Sequence, residues 1–306
     1  MDLLLYTVVR ALLGLIRLIS LPAAARAGGL GGLLFYYLDF RHRRVALENL
    51  RLAFGSEKSE SERRAIAREN FRRIGENFAS AAKTALMDDA ALRPHLEVAG
   101  GEALREAMAG AHPTSCVVAI GHFGNFELYA RSNPLAPDVP GATTYRGLDH
   151  PRLDRLMQQL RNRSGCRYYE RRHEGGALRQ ALQSERMVLG LLVDQNAGRH
   201  GVLVPFFGHP CSTNTAPALF ALRYHCHLFA SICYRTSLAK WRIVYSDPIP
   251  TTTNGQPRSV EEIMTDVNRH LESAVRTDPA NWFWVHRRWK YDPAKSRRSR
   301  RKPAVP

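Results

Sequence analysis

Apolar and polar positions alternate along this chain in several distinct patterns. Residues 3–21 (LLLYTVVRALLGLIRLISL) are almost continuously apolar, and as a helix they would extend about 28 Å. Helical spacing gathers Thr7, Arg10, Gly14 and Arg17 into one stripe among Leu, Ile and Val. A second apolar patch, residues 28–40 (GGLGGLLFYYLDF), follows Pro22 and runs into Arg41, His42, Arg43 and Arg44. Residues 45–86 show helical periodicity: Leu47, Leu50 and Phe54, then Ile66, Phe71, Ile74 and Phe78, are separated by charge. Ser59 or Ser61 is placed to cap the second of these helices. Four short apolar runs follow, at 116–120 (CVVAI), 187–193 (MVLGLLV), 228–233 (LFASIC) and 241–245 (WRIVY). Their brevity predicts buried strands of a mostly parallel sheet. Helical stretches fall between them at 152–163, 176–184 and 215–224, and a late helix spans 260–276. The expected fold class is α/β, with a mostly parallel central sheet flanked by helices and an apolar helical segment at the N-terminus.

Composition narrows the function classes. The chain has 306 residues, of which 44% are hydrophobic, which excludes a disordered chain. A polytopic membrane protein would need several long uncharged apolar runs. Arg10 and Arg17 would each cost roughly 2.5–3.5 kcal/mol inside a bilayer, so the first segment is a poor simple span, although snorkelling could rescue one. It is also a poor signal peptide, because Asp2 is the only charge before Arg10. The basic run 41–44 suits anionic headgroups, and membrane attachment is the expectation for residues 1–44. A formal net charge of +16 points to anionic partners without choosing among membrane, nucleic acid and acidic protein. The five cysteines contain no C-x-x-C pair and read as free thiols in a reducing compartment. His225 and His227 are a weak metal pair lacking a third ligand, and neither a metal nor a nucleotide cofactor is expected.

The first strand opens into Gly121-His122-Phe123-Gly124-Asn125-Phe126-Glu127-Leu128. Glycine-containing turns at strand ends are where α/β sheets place reactive side chains. If a helix begins near Asn125, Glu127 lies in its first turn and can fold back toward His122. A neutral imidazole can then take a hydroxyl proton while the carboxylate fixes its tautomer. No serine elbow is present, so direct attack by a substrate hydroxyl is the economical scheme.

This segment resembles the catalytic motif of the bacterial lipid A late acyltransferases, relatives of the glycerolipid acyltransferases. Further likenesses follow in order: Tyr145-Arg146 with His150-Pro151 and Leu153, where His150 replaces the usual Asn; Val193-Asp194-Gln195-Asn196; Val204-Pro205-Phe206-Phe207-Gly208 with Ser212-Thr213-Asn214-Thr215; and Trp284-Val285-His286-Arg287-Arg288-Trp289-Lys290. The likeness runs from the apolar N-terminus to Lys290. It implies transfer of a fatty acyl chain from an acyl-thioester, generally acyl-acyl carrier protein or else acyl-CoA, to a hydroxyl of a membrane glycolipid. It implies work at the cytoplasmic face of the inner membrane, against an anionic inner leaflet. Carried over, His122 is the general base and Glu127 its partner. Arg146 is a candidate for acceptor phosphate or developing charge, with a surface salt bridge as the alternative. Asp194 and Asn196 either line the substrate site or form a structural turn. An acidic carrier protein would be drawn to a basic face.

The expected organisation is therefore a membrane-associating segment (1–44), an acyltransferase domain (45–292) and a basic disordered tail (293–306). A close alternative keeps the chemistry and changes the acceptor, for instance to a phosphatidylinositol mannoside. A more distant one is a non-enzymatic binder of anionic membranes or nucleic acid. No nucleic-acid-reading motif is present, so nucleic acid is not an expected partner.

Overall fold

A computed structural model of the chain describes residues 2–109, 114–131 and 139–290; the basic tail lies outside them. The N-terminal third is helical, and each helix start has a local cause. Helix α1 (Asp2–Leu18) is followed by α2 (Leu21–Leu38), whose first turn is capped by the Ser20 hydroxyl and carries Pro22. Asp39 ends α2 and caps α3 (Phe40–Phe54) by accepting the His42 N–H at 3.0 Å. Helix α4 (Glu60–Thr84) starts with a capping box in which Ser59, rather than Ser61, is the cap and Glu62 reaches back to its N–H at 2.7 Å.

The glycine-rich patch becomes the inner face of α2, seated on α4. A Cβ at Gly32 would lie 2.1 Å from the Phe71 carbonyl oxygen, and one at Gly75 2.1 Å from that of Gly28. Only glycines permit this backbone approach, so the second apolar segment is built into the folded body. By contrast none of the described side chains of α1 is fully buried: it rests on the body by the half-buried stripe Tyr6, Val9, Leu13 and Ile16, and its other apolar side chains are exposed. Among the described residues no helix is long and apolar enough to cross a membrane.

Short α5 (Asp89–Leu92) leads to β1 (Leu96–Ala99), α6 (Glu102–Ala109) and β2 (Cys116–Ile120). Then come β3 (Gly141–Tyr145), α7 (Pro151–Arg161), β4 (Arg167–Glu170), α8 (Gly175–Ser184) and β5 (Val188–Leu192). The hairpin β6 (Val202–Phe206) and β7 (His209–Thr213) precedes α9 (Ala216–Tyr224), β8 (His227–Ser237) and β9 (Lys240–Tyr245). A two-residue pair, β10 (Thr252–Thr253) and β11 (Gln256–Pro257), precedes α10 (Val260–Thr277).

The seven-stranded sheet has the order β1-β9-β8-β2-β5-β3-β4. Its neighbours are parallel except β8 and β9, which are antiparallel. The mostly parallel α/β expectation holds. All five residues of β2, at the centre, are buried. The apolar runs marked β2, β5, β8 and β9, whereas β1, β3 and β4 carried no such run. β1 and β4 are the sheet edges and are only partly covered, so their sequences carry polar residues instead of a hydrophobic block. The Pro-Phe-Phe-Gly segment forms the β6–β7 turn, with Phe207 and Gly208 both at positive φ.

Residues 279–290 run back across the body as a strap. Buried Asn49 donates to the carbonyls of Trp284 and His286, both at 2.7 Å, and buried Asn70 to those of Ala280 and Trp282. Irregular backbone in a core survives only when its carbonyls are satisfied in this way.

The α2–α4 contact yields a direct test. Gly75→Ala should lower stability by about 1–3 kcal/mol through overpacking, while Gly14→Ala, with nothing within 4 Å of the new methyl, should not lower it. Denaturant unfolding of both variants checks this; equal midpoints would contradict the close crossing.

Candidate active site

Two neighbouring strands bring the central residues together. In the β2–β5 ladder Ile120 pairs with Leu192, so His122 and Asp194 each lie two residues past a matched pair, at the C-terminal edge. Gly124 makes the intervening turn at φ +51°, with no room for a Cβ against the Cys233 carbonyl. Asp194 is 2% exposed, and its oxygens are fully engaged. Oδ1 pairs with His122 Nδ1 at 2.8 Å. Oδ2 accepts the His122 backbone N–H and the Trp282 indole N–H, each at 2.8 Å. The imidazole stands between Phe126 and Phe283, with ring centroids 4.8 and 5.8 Å away.

These contacts set the charges. Burial alone would pull the His122 pKa down, but the Asp194 carboxylate outweighs it by charge and hydrogen bond, with a smaller contribution from Glu127, and the net shift is upward. Burial would push Asp194 up; the charge and hydrogen bonds of His122, and the Trp282 N–H, hold it instead at about 2. Asp194 thus stays ionised, and in neutral His122 it favours the tautomer with the proton on Nδ1, which leaves the lone pair on Nε2. That is the state of a general base.

The carboxylate on the imidazole is therefore Asp194, not Glu127. The chain after Asn125 forms a 3-10 turn, Phe126–Arg131, and both Glu127 oxygens bind Arg161, at 2.7 and 3.3 Å. Arg161 also lies over the rings of Tyr168 and Tyr145, 5.4 and 5.9 Å from their centroids. Arg146 is exposed just beyond the end of β3. Asn196 makes a turn: its side chain accepts the Gly198 N–H at 2.6 Å, and its backbone N–H donates to His286 Nε2 at 2.9 Å. Sequence reasoning missed Arg161 and Trp282, and it quoted Gln195, whose side-chain amide lies 3.4 Å from His122 Nε2, without giving it a role. The spacing Glu127 to Arg161 has no local signal, and Trp282 lies just before a quoted motif.

His122, Glu127 and Arg161 line a cavity of about 390 Å³. Its walls are apolar: Val9 and Leu13 of α1, Ile74 and Phe78 of α4, Leu156 and Met157 of α7. Helix α7 has no fully buried residue, because its apolar face looks onto this space. Among the described residues no three His, Cys, Asp or Glu side chains gather as a metal site.

A mostly parallel α/β sheet carrying a buried His-carboxylate pair beside an apolar cavity defines an enzyme suited to acyl-chain chemistry. The sequence matches the profile of the bacterial lipid A biosynthesis acyltransferases over residues 3–291, and the chain belongs to that family. It is an acyltransferase. It is 28% identical over 270 residues to a lipid A biosynthesis acyltransferase of Haemophilus influenzae, covering 86% of this chain and 82% of the relative. It is 27% identical to the lipid A biosynthesis lauroyltransferase of Escherichia coli, covering 89% and 87%. A lipid A biosynthesis palmitoleoyltransferase of the same organism is 25% identical, over 83% and 80%.

Two outcomes follow for the pair. With His122 as the base, the acid limb of kcat/KM should lie above the ordinary histidine value of about 6.5, because such a base works only when neutral and the His122 pKa is raised. Asp194→Asn should cut kcat roughly 10²–10⁴-fold by losing the tautomer control. A pH-rate profile of the wild type and steady-state kinetics of the variant check both.

Proposed function

We propose that this enzyme transfers a fatty acyl chain from acyl-acyl carrier protein to a hydroxyl of a lipid A precursor at the cytoplasmic face of the inner membrane. The observation that carries this reading is His122, paired with buried Asp194, on the wall of a largely apolar cavity of about 390 Å³. His122 Nε2 takes the acceptor hydroxyl proton, and Asp194 steadies the imidazolium that forms. Glu127 adds negative charge near His122 and orients Arg161 at the cavity wall. Arg146, exposed at the C-terminal edge of the sheet, is the contact offered to acceptor phosphate. The cavity takes the donor acyl chain, and the net charge of +16 favours encounter with an acidic carrier protein.

The membrane reading rests on α1. It is 17 residues long, about 25 Å, short of a hydrocarbon core of about 30 Å. Leu4, Leu12, Leu15 and Leu18 are exposed, and so are Leu30, Leu34 and Phe35 of α2. Arg10 and Arg17 sit among them. An apolar surface studded with cations suits an anionic bilayer interface with α1 lying in its plane.

His122→Ala should abolish acyl transfer to lipid A precursor while leaving the thermal transition in place; turnover by the folded variant would remove His122 from the mechanism. Met157→Trp, which fills the cavity, should depress transfer of the longest chains most, read from a panel of acyl-carrier donors. Leu12→Asp with Leu15→Asp should release the protein from anionic vesicles in a flotation assay, and retained flotation would place the membrane contact elsewhere.

A further inference from the structure

An acyl transfer through a tetrahedral intermediate needs hydrogen-bond donors where the carbonyl oxygen becomes negative. Three consecutive backbone amides of the turn after β2, those of His122, Phe123 and Gly124, are already engaged. His122 N–H donates to Asp194 at 2.8 Å, Phe123 N–H to the Gly121 carbonyl at 2.9 Å, and Gly124 N–H to the Asn281 carbonyl at 3.1 Å. The Arg161 guanidinium is turned onto both oxygens of Glu127. A side-chain donor stands beside the proposed base nitrogen: the Gln195 amide, 3.4 Å from His122 Nε2.

The backbone of Gln195 is held firmly. Arg288 donates to its carbonyl at 2.8 Å, and the residues on either side are pinned by Trp282 and His286. Arg288 is fully buried, and its hydrogen-bond partners are neutral: the carbonyls of Gln195 and Ser212, the Thr213 hydroxyl and the Asn268 amide oxygen. A permanent cation thus lies beneath the 195 peptide, where its field favours negative charge building up above.

We infer that Gln195 is a catalytic residue, the oxyanion donor of the acyl transfer proposed above. In the resting site its N–H rests against the Nε2 lone pair. When the acceptor hydroxyl takes that lone pair, the amide is released toward the thioester carbonyl oxygen. The acceptor proton passes to His122 Nε2, the new C–O bond forms, and the carbonyl π pair moves onto oxygen, facing the Gln195 N–H. Collapse restores the carbonyl, the C–S bond breaks, and the departing thiolate takes the proton from His122. Arg288 is a positioning residue, acting through the Gln195 backbone.

The test compares full-length wild type, Gln195→Ala and the near-isostere Gln195→Met in detergent, with acyl-acyl carrier protein and lipid A precursor. Both variants should lose roughly 10²–10³-fold in kcat, with KM, the acid limb of the pH profile and the melting temperature unmoved. A Gln195→Met enzyme with kcat near wild type overturns the inference. So does a loss of rate accompanied by a displaced acid limb, which would assign Gln195 to the base instead. If wild type fails to acylate lipid A precursor, the acceptor proposed above is wrong, yet donor hydrolysis forms the same oxyanion. The ratio of hydrolysis rates between wild type and Gln195→Met then decides this inference independently.

Discussion

A single buried carboxylate organises the molecule. An ionised Asp at the end of a central strand is costly unless each oxygen is hydrogen-bonded, and Asp194 is satisfied by the His122 ring, the His122 backbone and the Trp282 indole. Those donors come from two distant parts of the chain. The β2 turn, β5 and the C-terminal strap must therefore assemble together, or the carboxylate is stranded. Stability and the proposed catalysis share this requirement, since the contacts that satisfy Asp194 also orient the His122 ring.

The strap is held in turn by polar side chains in the core. Asn49 and Asn70 bind its carbonyls, and Asn281 reaches the Cys233 carbonyl at 3.0 Å. A chain of ion pairs reinforces the same region: Glu76, fully buried, binds Arg72 at 3.0 Å and Arg235 at 2.7 Å, while Arg73 joins Glu69 to Asp278. Removing one member would leave an unpaired buried charge. Helix α4 thus anchors three things at once: α2 through its glycines, the strap through Asn70, and the cavity through Ile74 and Phe78.

The cavity contrasts a firm floor with lightly held walls. The His122 turn belongs to the core, whereas α1 and α7 present apolar side chains to the space without any being fully buried. Such elements lie at the low end of local stability, as suits the proposed role of the cavity in accepting and releasing an acyl chain. α1 is apolar toward the cavity and toward its outside alike, which explains why its sequence reads as nearly uniform hydrophobicity instead of a clean stripe.

Much of the fold was legible without coordinates. The apolar blocks at β2, β5, β8 and β9 marked the covered middle of a parallel sheet, and Ser59 and Glu62 announced a helix start, because burial on both faces and capping leave local signatures. The partly covered edges β1 and β4 left none. His122 was legible for the same reason, since it follows a buried strand in a glycine turn. Its carboxylate partner was not: Glu127 is five residues away along the chain, Asp194 seventy-two, and only the pairing of β2 with β5 sets Asp194 beside the imidazole. The sequence by itself determined most of the elements, the acyltransferase family and the candidate imidazole. The tertiary structure decided which acid serves it, because strand order and register are long-range choices that short-range spacing does not encode.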